Sequence, residues 1–366
     1  TEEDPVVIFY TSGTTGVPRG ALYTQGRKLA DTRIFVHELA LDPGDKQVMI
    51  VPLFHVAGGS ILWAFFFAGA GNFIIPQPFF DATATLQAIQ NEKATSIHIV
   101  PTHLVAMLSV PALDTYDLSS LKRIWYAGST MPTELLRKGM EIFGPIFMQA
   151  YGQSESGPMI AFLATRYHKV LDRPLEEQRV LASIGQPCIG VHVRIVDEKN
   201  SDVKPGEVGE IVAQSKSIMA EYWRKPNETR EALFDGWLHT GDVGYYDEKG
   251  FIYLVDRKKD MIISGGENVF SREVEEILYQ HPAVQEAAVI GIPDPYWVEK
   301  VHAVIVLKEG KSANEKELID FCKERLARFK APKSVEFTGS LPKNPAGKIL
   351  KRQLRDKYWQ GLERRI

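Results

Sequence analysis

The sequence predicts an α/β fold with a large α/β body, a β-rich subdomain attached to it, and a small α+β C-terminal domain. Three observations carry this. Up to about residue 185, β-branched runs alternate with helical stretches, as in a sheet whose strands are buried on both faces. After Gly185 short strands recur between turn signals. From Arg257 a third mixture of helices and strands runs for 110 residues, an ordinary domain size. The expected domains are therefore 1–256 and 257–366.

The elements follow in order. Val6 to Tyr10 reads as a strand; a Gly/Thr/Ser cluster and a helix from Gln25 to Leu39 come next. Gln47 to Val51 is a strand. Val56 to Pro76 carries no charged side chain, but its glycines break it into a buried helix (Ile61 to Ala68), a turn and a buried strand (Asn72 to Ile75). A membrane span would need about 20 mainly apolar residues in one run, so no transmembrane segment is expected. Among the adjacent aromatics Trp63, Phe65, Phe66 and Phe67, most should be core. Asp81 caps a helix to Lys93. Thr95 to Val100 is a strand, stopped by Pro101. Leu121 to Tyr126 is a strand before a helix from Pro132 to Ile142, with proline in its first turn. Ile146 to Gln149 is another strand. In the β-rich part, Asp247-Glu-Lys-Gly250 is a hairpin turn. In the last part Ser271 caps a helix to His281 and Asn314 to Arg328 is helical. Val284 to Ile292, Val301 to Lys308 and Ser334 to Phe337 are strands.

Composition excludes several classes. Hydrophobic residues are 44% and charged residues 24% of the 366, against disorder. Lys plus Arg is 43 and Asp plus Glu is 46, too balanced for a nucleic-acid binder. Two cysteines, Cys188 and Cys322, exclude a disulfide scaffold and a cysteine zinc site. They fit a reducing, cytoplasmic compartment. The strongest local feature is Tyr10-Thr-Ser-Gly-Thr-Thr-Gly-Val-Pro-Arg-Gly20, between a strand and a helix. Its glycines let backbone N–H groups approach an anion, its hydroxyls donate to phosphate oxygens, and Arg19 adds charge. Pro18 stands where a Walker loop would continue to Gly-Lys. Gly152-Gln-Ser-Glu-Ser156 comes near a hydrolase nucleophile elbow but lacks the last glycine.

The Tyr10–Gly20 run closely resembles the phosphate loop of adenylate-forming enzymes, which include acyl-CoA synthetases, luciferases and peptide-synthetase adenylation domains. Five further blocks resemble that family in its order: Pro52-Leu-Phe-His-Val56, Gln149-Ala-Tyr-Gly-Gln-Ser-Glu155, Trp237-Leu-His-Thr-Gly-Asp242, Asp256 to Asn268, and Pro342-Lys-Asn-Pro-Ala-Gly-Lys348. The resemblance covers nearly the whole chain. It implies that Thr11, Ser12, Gly13, Thr14, Thr15, Gly16 and Arg19 hold the phosphates of ATP. Glu155 would bind Mg²⁺, Ser154 keeps a hydroxyl where threonine is usual, and Tyr151 would stack on adenine. Gly128 and Ser129 would line the same slot, Gly128 also facing the acid. Asp242 and Arg257 would hold the ribose. Lys348 would bridge carboxylate and α-phosphate. Lys259 would be the hinge about which the C-terminal domain turns, presenting Lys348 for adenylation and the face containing Gly266 for attack by the CoA thiol. His55 would sit at the mouth of the acid pocket.

The second block lacks the acid that pairs an amino-acid substrate, and no insertion follows Asp256. Both features resemble acyl-CoA synthetases. A medium- or long-chain fatty acid is the first expectation, an aryl acid the second. An adenylate-only ligase and an ATP-binding relic are the alternatives. The partners implied are a carboxylic acid and CoA, with no nucleic acid; a homodimer is left open. Two departures stand out. Val298 occupies a position where the family commonly has glycine. The family's usual N-terminal segment is missing before Thr1, which should leave apolar edges exposed and this piece poorly soluble by itself.

Overall fold

The structure, a computed structural model, describes residues 1–11, 18–76, 79–128, 131–344 and 348–360. It forms two compact units, Thr1–Thr240 with Tyr245–Tyr253, and Gly241–Gly244 with Leu254–Ile366.

In the first unit β1 (Pro5–Thr11) pairs antiparallel with β2 (Arg19–Thr24), and α1 (Gln25–Glu38) follows. The chain then alternates through β3 (Lys46–Met49), α2 (Val56–Phe67), β4 (Gly71–Ile74), α3 (Ala82–Glu92) and β5 (Ser96–Ile99). It continues through α4 (Pro101–Leu108), β6 (Arg123–Tyr126), α5 (Thr133–Phe143), β7 (Phe147–Gln153), β8 (Gly157–Leu163) and the short β9 (Gln186–Pro187). These strands form a seven-stranded sheet in the order β4-β3-β5-β6-β7-β8-β9. The first five pair in parallel and the last two antiparallel. Parallel neighbours need crossover connections, and α3, α4 and α5 meet that need.

Period-two alternation divides the sheet's side chains. On one face Val48, Ile97, Ile99, Ile124 and Tyr126 join Leu86, Ile89, Leu104 and Leu136 in an apolar core. Each fully buried aliphatic there contributes roughly 1.5–3 kcal/mol. Gln47, Ser96, His98, Arg123 and Trp125 take the alternate positions and are also buried. Asp81 caps α3, its carboxylate accepting from the Ala84 amide at 2.9 Å. The β-rich part orders Val191–Val196, Gly209–Ser215, Trp237–Tyr246 and Leu233–Phe234, with Ile252–Arg257 pairing Trp237–Tyr246. The expected Asp247–Gly250 turn forms, with Gly250 at φ +77° and its amide donating to the Asp247 carbonyl.

In the second unit the strands run Glu267–Val269, Ile262–Ser264, Val298–Leu307, Val284–Asp294, and Ser334–Phe337 lies parallel to Val298–Leu307. Alternation again makes two faces. Ala287, Val289 and Val301 meet Val274, Leu278 and Leu318 of the helices Ser271–Tyr279 and Glu315–Lys323. Ala288, Ile290 and Ile292 meet Leu341 and Leu354, the latter from the helix Lys351–Asp356.

Several expectations need correction. Only Phe65 of the aromatic run is core; Trp63, Phe66 and Phe67 are 47%, 76% and 52% exposed. One helix can bury only one stripe, and the side chains of five successive residues, 63 to 67, point around its whole circumference. The strand Gly71–Ile74 is half-buried to exposed rather than buried because it ends the sheet. Ser271 does not cap its helix: Phe270 is the N-cap residue, and the Ser271 hydroxyl instead donates to Asp256 at 2.8 Å. Pro132 is the N-cap residue of α5 rather than a first-turn residue. The helix after Asn314 stops at Lys323, short of Arg328. Among the described residues no helix is long and apolar enough to cross a membrane.

Candidate active site

The turn joining β7 to β8 carries Ser154, Glu155 and Ser156, and three contacts fix it. A Cβ on Gly152 would lie 2.6 Å from the Gly157 carbonyl oxygen, so only glycine lets the two strands approach so closely. The fully buried Ser156 donates to the Gly157 carbonyl at 2.6 Å and accepts from the Gln153 amide at 2.8 Å. Tyr23, from β2, donates to the Ser154 carbonyl at 2.6 Å and accepts from the Gly157 amide at 2.7 Å.

Glu155 is half-buried, and Tyr222 donates to its Oε1 at 2.8 Å. The Arg19 guanidinium lies 5.4 Å from the centre of the Tyr222 ring, within cation–π range. Burial, and then the Glu155 charge, push the Tyr222 hydroxyl well above its ordinary pKa, so it stays a donor. Strand pairing assembles this trio: Arg19 begins β2, Thr11 lies opposite it in register, and Tyr222 pairs with Ala21. Sequence reasoning missed Tyr222 and Tyr23. Tyr222 is 67 residues from Glu155, and Tyr23 is 131 from Ser154, so no local signal marks them. Among the described residues no group of three or more His, Cys, Asp or Glu could hold a metal. A lone carboxylate fits Mg²⁺ when phosphate oxygens supply further ligands, which is this ion's usual mode with nucleotides.

The other expected residues of the first unit lie on β7, after β6 and at the start of α2. Tyr151 is buried on β7 opposite Ala161, at a register shift before Gln153. Gly128 follows β6 at φ +81°, where an added Cβ would meet nothing closer than 3.8 Å; the backbone conformation, not space, calls for glycine. His55 is the N-cap of α2, its Nδ1 accepting from the Ala57 amide at 3.2 Å. Ser12, Gly13, Thr14, Thr15, Gly16 and Ser129 lie outside the described residues.

The second unit brings together residues far apart in sequence. Asp242, 5% exposed, pairs with Arg257, Nε to Oδ1 3.2 Å. Asp256 accepts from the Arg257 amide at 2.7 Å, and Asp260 pairs with Arg355 at 3.2 Å. Lys348 is half-buried, anchored by its amide to Asn344 Oδ1 and by its carbonyl to the Asn344 amide, both at 2.9 Å. Its ammonium lies in the field of Arg257, Asp242, Lys259 and Asp260. Loss of solvent, then repulsion from Arg257, hold it down to about 7 against the partial support of Asp242. Burial and Arg257 also lower Lys259. Burial pushes Asp260 up, but Lys351, Arg355 and Lys259 outweigh it and the carboxyl ends below its ordinary value. The result is a cluster of cations and carboxylates around the Lys348 amine.

Gly266 turns between two strands at φ +85°. Val298, where the resemblance led to an expected glycine, keeps a left-handed backbone at φ +66° and is 67% exposed. A β-branched residue there is strained.

Comparison with known proteins gives matching results. The family described as "AMP-binding enzyme" matches residues 1–223, and "AMP-binding enzyme C-terminal domain" matches 273–348. The long-chain-fatty-acid–CoA ligase of Bacillus subtilis is 40% identical over 96% of this chain and 62% of its own length. The feruloyl-CoA synthase of an Amycolatopsis species is 38% identical over 97% of this chain and 70% of its own. The amide bond synthetase McbA from Marinactinospora thermotolerans superposes with a TM-score of 0.89 at 33% identity, over 97% of this chain and 70% of that one. The chain thus spans about two thirds of the length of the proteins it matches.

Proposed function

The chain belongs to the AMP-binding enzyme family, and on that premise we propose that the protein is an AMP-forming acid–CoA ligase. The observation that carries this reading is the convergence of Lys348, Arg257 and Asp242 in one unit, with the Lys348 amine at about 7.

The reaction joins two anions and then exchanges a leaving group. A carboxylate oxygen attacks the α-phosphorus of ATP; that O–P bond forms, the bond to the bridging oxygen breaks, and pyrophosphate leaves. The CoA thiol then loses its proton to solvent, its sulfur bonds the acyl carbon, and the C–O bond to AMP breaks. Electrostatics and positioning are the natural sources of rate. In this reading Arg19 faces the phosphates and Asp242 and Arg257 hold the ribose hydroxyls. Lys348, a compact ammonium on a flexible stem, approaches carboxylate and α-phosphate together. Glu155, oriented by Tyr222, would hold Mg²⁺, which would neutralise phosphate charge. Tyr151 and Gly128 flank adenine, His55 the acid, and the phosphate-loop residues complete the cradle. Lys259 is the hinge and the strand turn at Gly266 serves the thiol step, with 1–256 and 257–366 as the moving parts.

The class of acid is the finer question. One relative is named for a long-chain fatty acid and another for an aryl acid, so likeness alone supports either. The McbA match also shows that this fold is shared by a protein whose name specifies an amide product. Acid-dependent pyrophosphate exchange by the full-length protein, followed by thioester formation with CoA, tests the reading. Exchange with no thioester would leave an adenylate-only ligase; nucleotide binding with no exchange would leave a relic.

A further inference from the structure

The polar face of the seven-stranded sheet holds two touching aromatic side chains, His98 and Trp125. His98 is 2% exposed and Trp125 is 1% exposed. Among the described residues, neither ring nitrogen of His98 nor the indole nitrogen of Trp125 has a hydrogen-bond partner. The rings touch, with centroids 4.2 Å apart, and Phe35 of α1 closes over Trp125 edge-on at 5.7 Å. Buried polar groups in working proteins are nearly always satisfied. Three orphan nitrogens on two touching rings therefore point to a polar occupant.

The place of the pair in the fold says which occupant. His98 and Trp125 are register partners and the penultimate residues of the parallel strands β5 and β6. Ligands of such sheets bind beyond the carboxyl ends of the strands. The chain leaves β6 through Ala127 into Gly128, and His98 lies within electrostatic reach of His55. Both Gly128 and His55 are assigned above to the acid.

We propose that His98 and Trp125 select a carboxylic acid bearing a hydroxyl group at its far end, in preference to the same acid without it. The inference rests on the acid–CoA ligase reading and names its substrate class. Donor and acceptor counts support the match. Burial first, and then His103 and His55, hold the His98 imidazole down to about 3, so it is neutral near pH 7. A neutral imidazole donates from one nitrogen and accepts at the other, and an indole only donates. A hydroxyl can bond one imidazole nitrogen, as donor or acceptor, and accept from the indole N–H at the same time; the other imidazole nitrogen points away and is left to buried water. A bare alkyl or phenyl terminus would serve none, and a site built for a substrate hydroxyl rejects analogues lacking it.

The test uses the full-length protein and two matched pairs: benzoate with 4-hydroxybenzoate, and octanoate with 8-hydroxyoctanoate. AMP release gives kcat/KM for each acid. In the wild type at least one hydroxylated acid should lead its partner by about tenfold or more. That ratio should collapse in His98→Leu and fall in Trp125→Phe. A folding defect would lower both members of a pair together and leave the ratio in place, so the ratio reports selection alone. Ratios near one in the wild type, or a ratio kept in both variants, would overturn the proposal and assign the orphan nitrogens to buried water. AMP release with none of the acids would instead sink the ligase reading, and this inference with it.

Discussion

Replacing Lys348 with alanine tests the assignment on which the proposed chemistry turns. With its amine at about 7 rather than 10.5, about half the molecules carry the charge at pH 7 and about a tenth at pH 8. Bound nucleotide brings several negative charges and favours the ammonium. Binding should therefore take up about half a proton at pH 7 and about 0.9 at pH 8. Titration calorimetry in buffers of differing ionisation enthalpy measures this directly. Lys348→Ala should abolish most of the uptake and slow pyrophosphate exchange by about 10²–10³-fold, the usual loss for one transition-state donor. Lys348→Arg should keep a charge but show no uptake, since a guanidinium does not titrate here. The stability sign also follows. The folded state binds fewer protons than the unfolded state between pH 7 and 10.5, so this group makes the ligand-free protein more stable as pH rises through that window. An alanine variant that exchanges at the wild-type rate, or binds nucleotide with the same proton uptake, would refute the reasoning.

Three further outcomes are expected. Tyr222→Phe removes the bond to Glu155 Oε1, a charge-assisted contact of about 1.5–3 kcal/mol; exchange should fall about tenfold and Tm by about 5 °C, and an unchanged rate would detach Tyr222 from the site. Val298→Gly relieves a left-handed β-branched residue and should stabilise the protein by about 1 kcal/mol in denaturant titrations; a loss of stability would show that the side chain contributes more than the strain costs. Lys28 and Asp31 form a buried ion pair, with Ser60 donating to Asp31 at 3.0 Å. Lys28→Met strands the carboxylate, at about 3–5 kcal/mol and roughly 10 °C in Tm. Lys28→Met combined with Asp31→Leu should recover most of that, and a single variant as stable as wild type would contradict the buried-pair account.

Much of this molecule is legible in its residues because the signals are local. β-branched and aromatic residues in β3 to β7, separated by helical stretches, marked the order of these elements, since such side chains favour strands. Asp81 and the Asp247–Gly250 turn announce themselves within four residues. The motif blocks singled out Glu155, Asp242, Arg257 and Lys348 as candidate site residues, because each block is a short local run. Tertiary structure decided the rest. Only folding sets Tyr222 against Glu155 and Tyr23 against Ser154, across separations of 67 and 131 residues. Only the packing around Lys348 lowers its amine, because desolvation is a property of surroundings and not of a motif. The aromatics of α2 misled sequence reasoning because composition states how apolar a helix is, whereas the packing of its neighbours decides which stripe is buried. The same holds for His98 and Trp125: the sequence shows an ordinary strand histidine and tryptophan, and the sheet register alone brings their rings into contact.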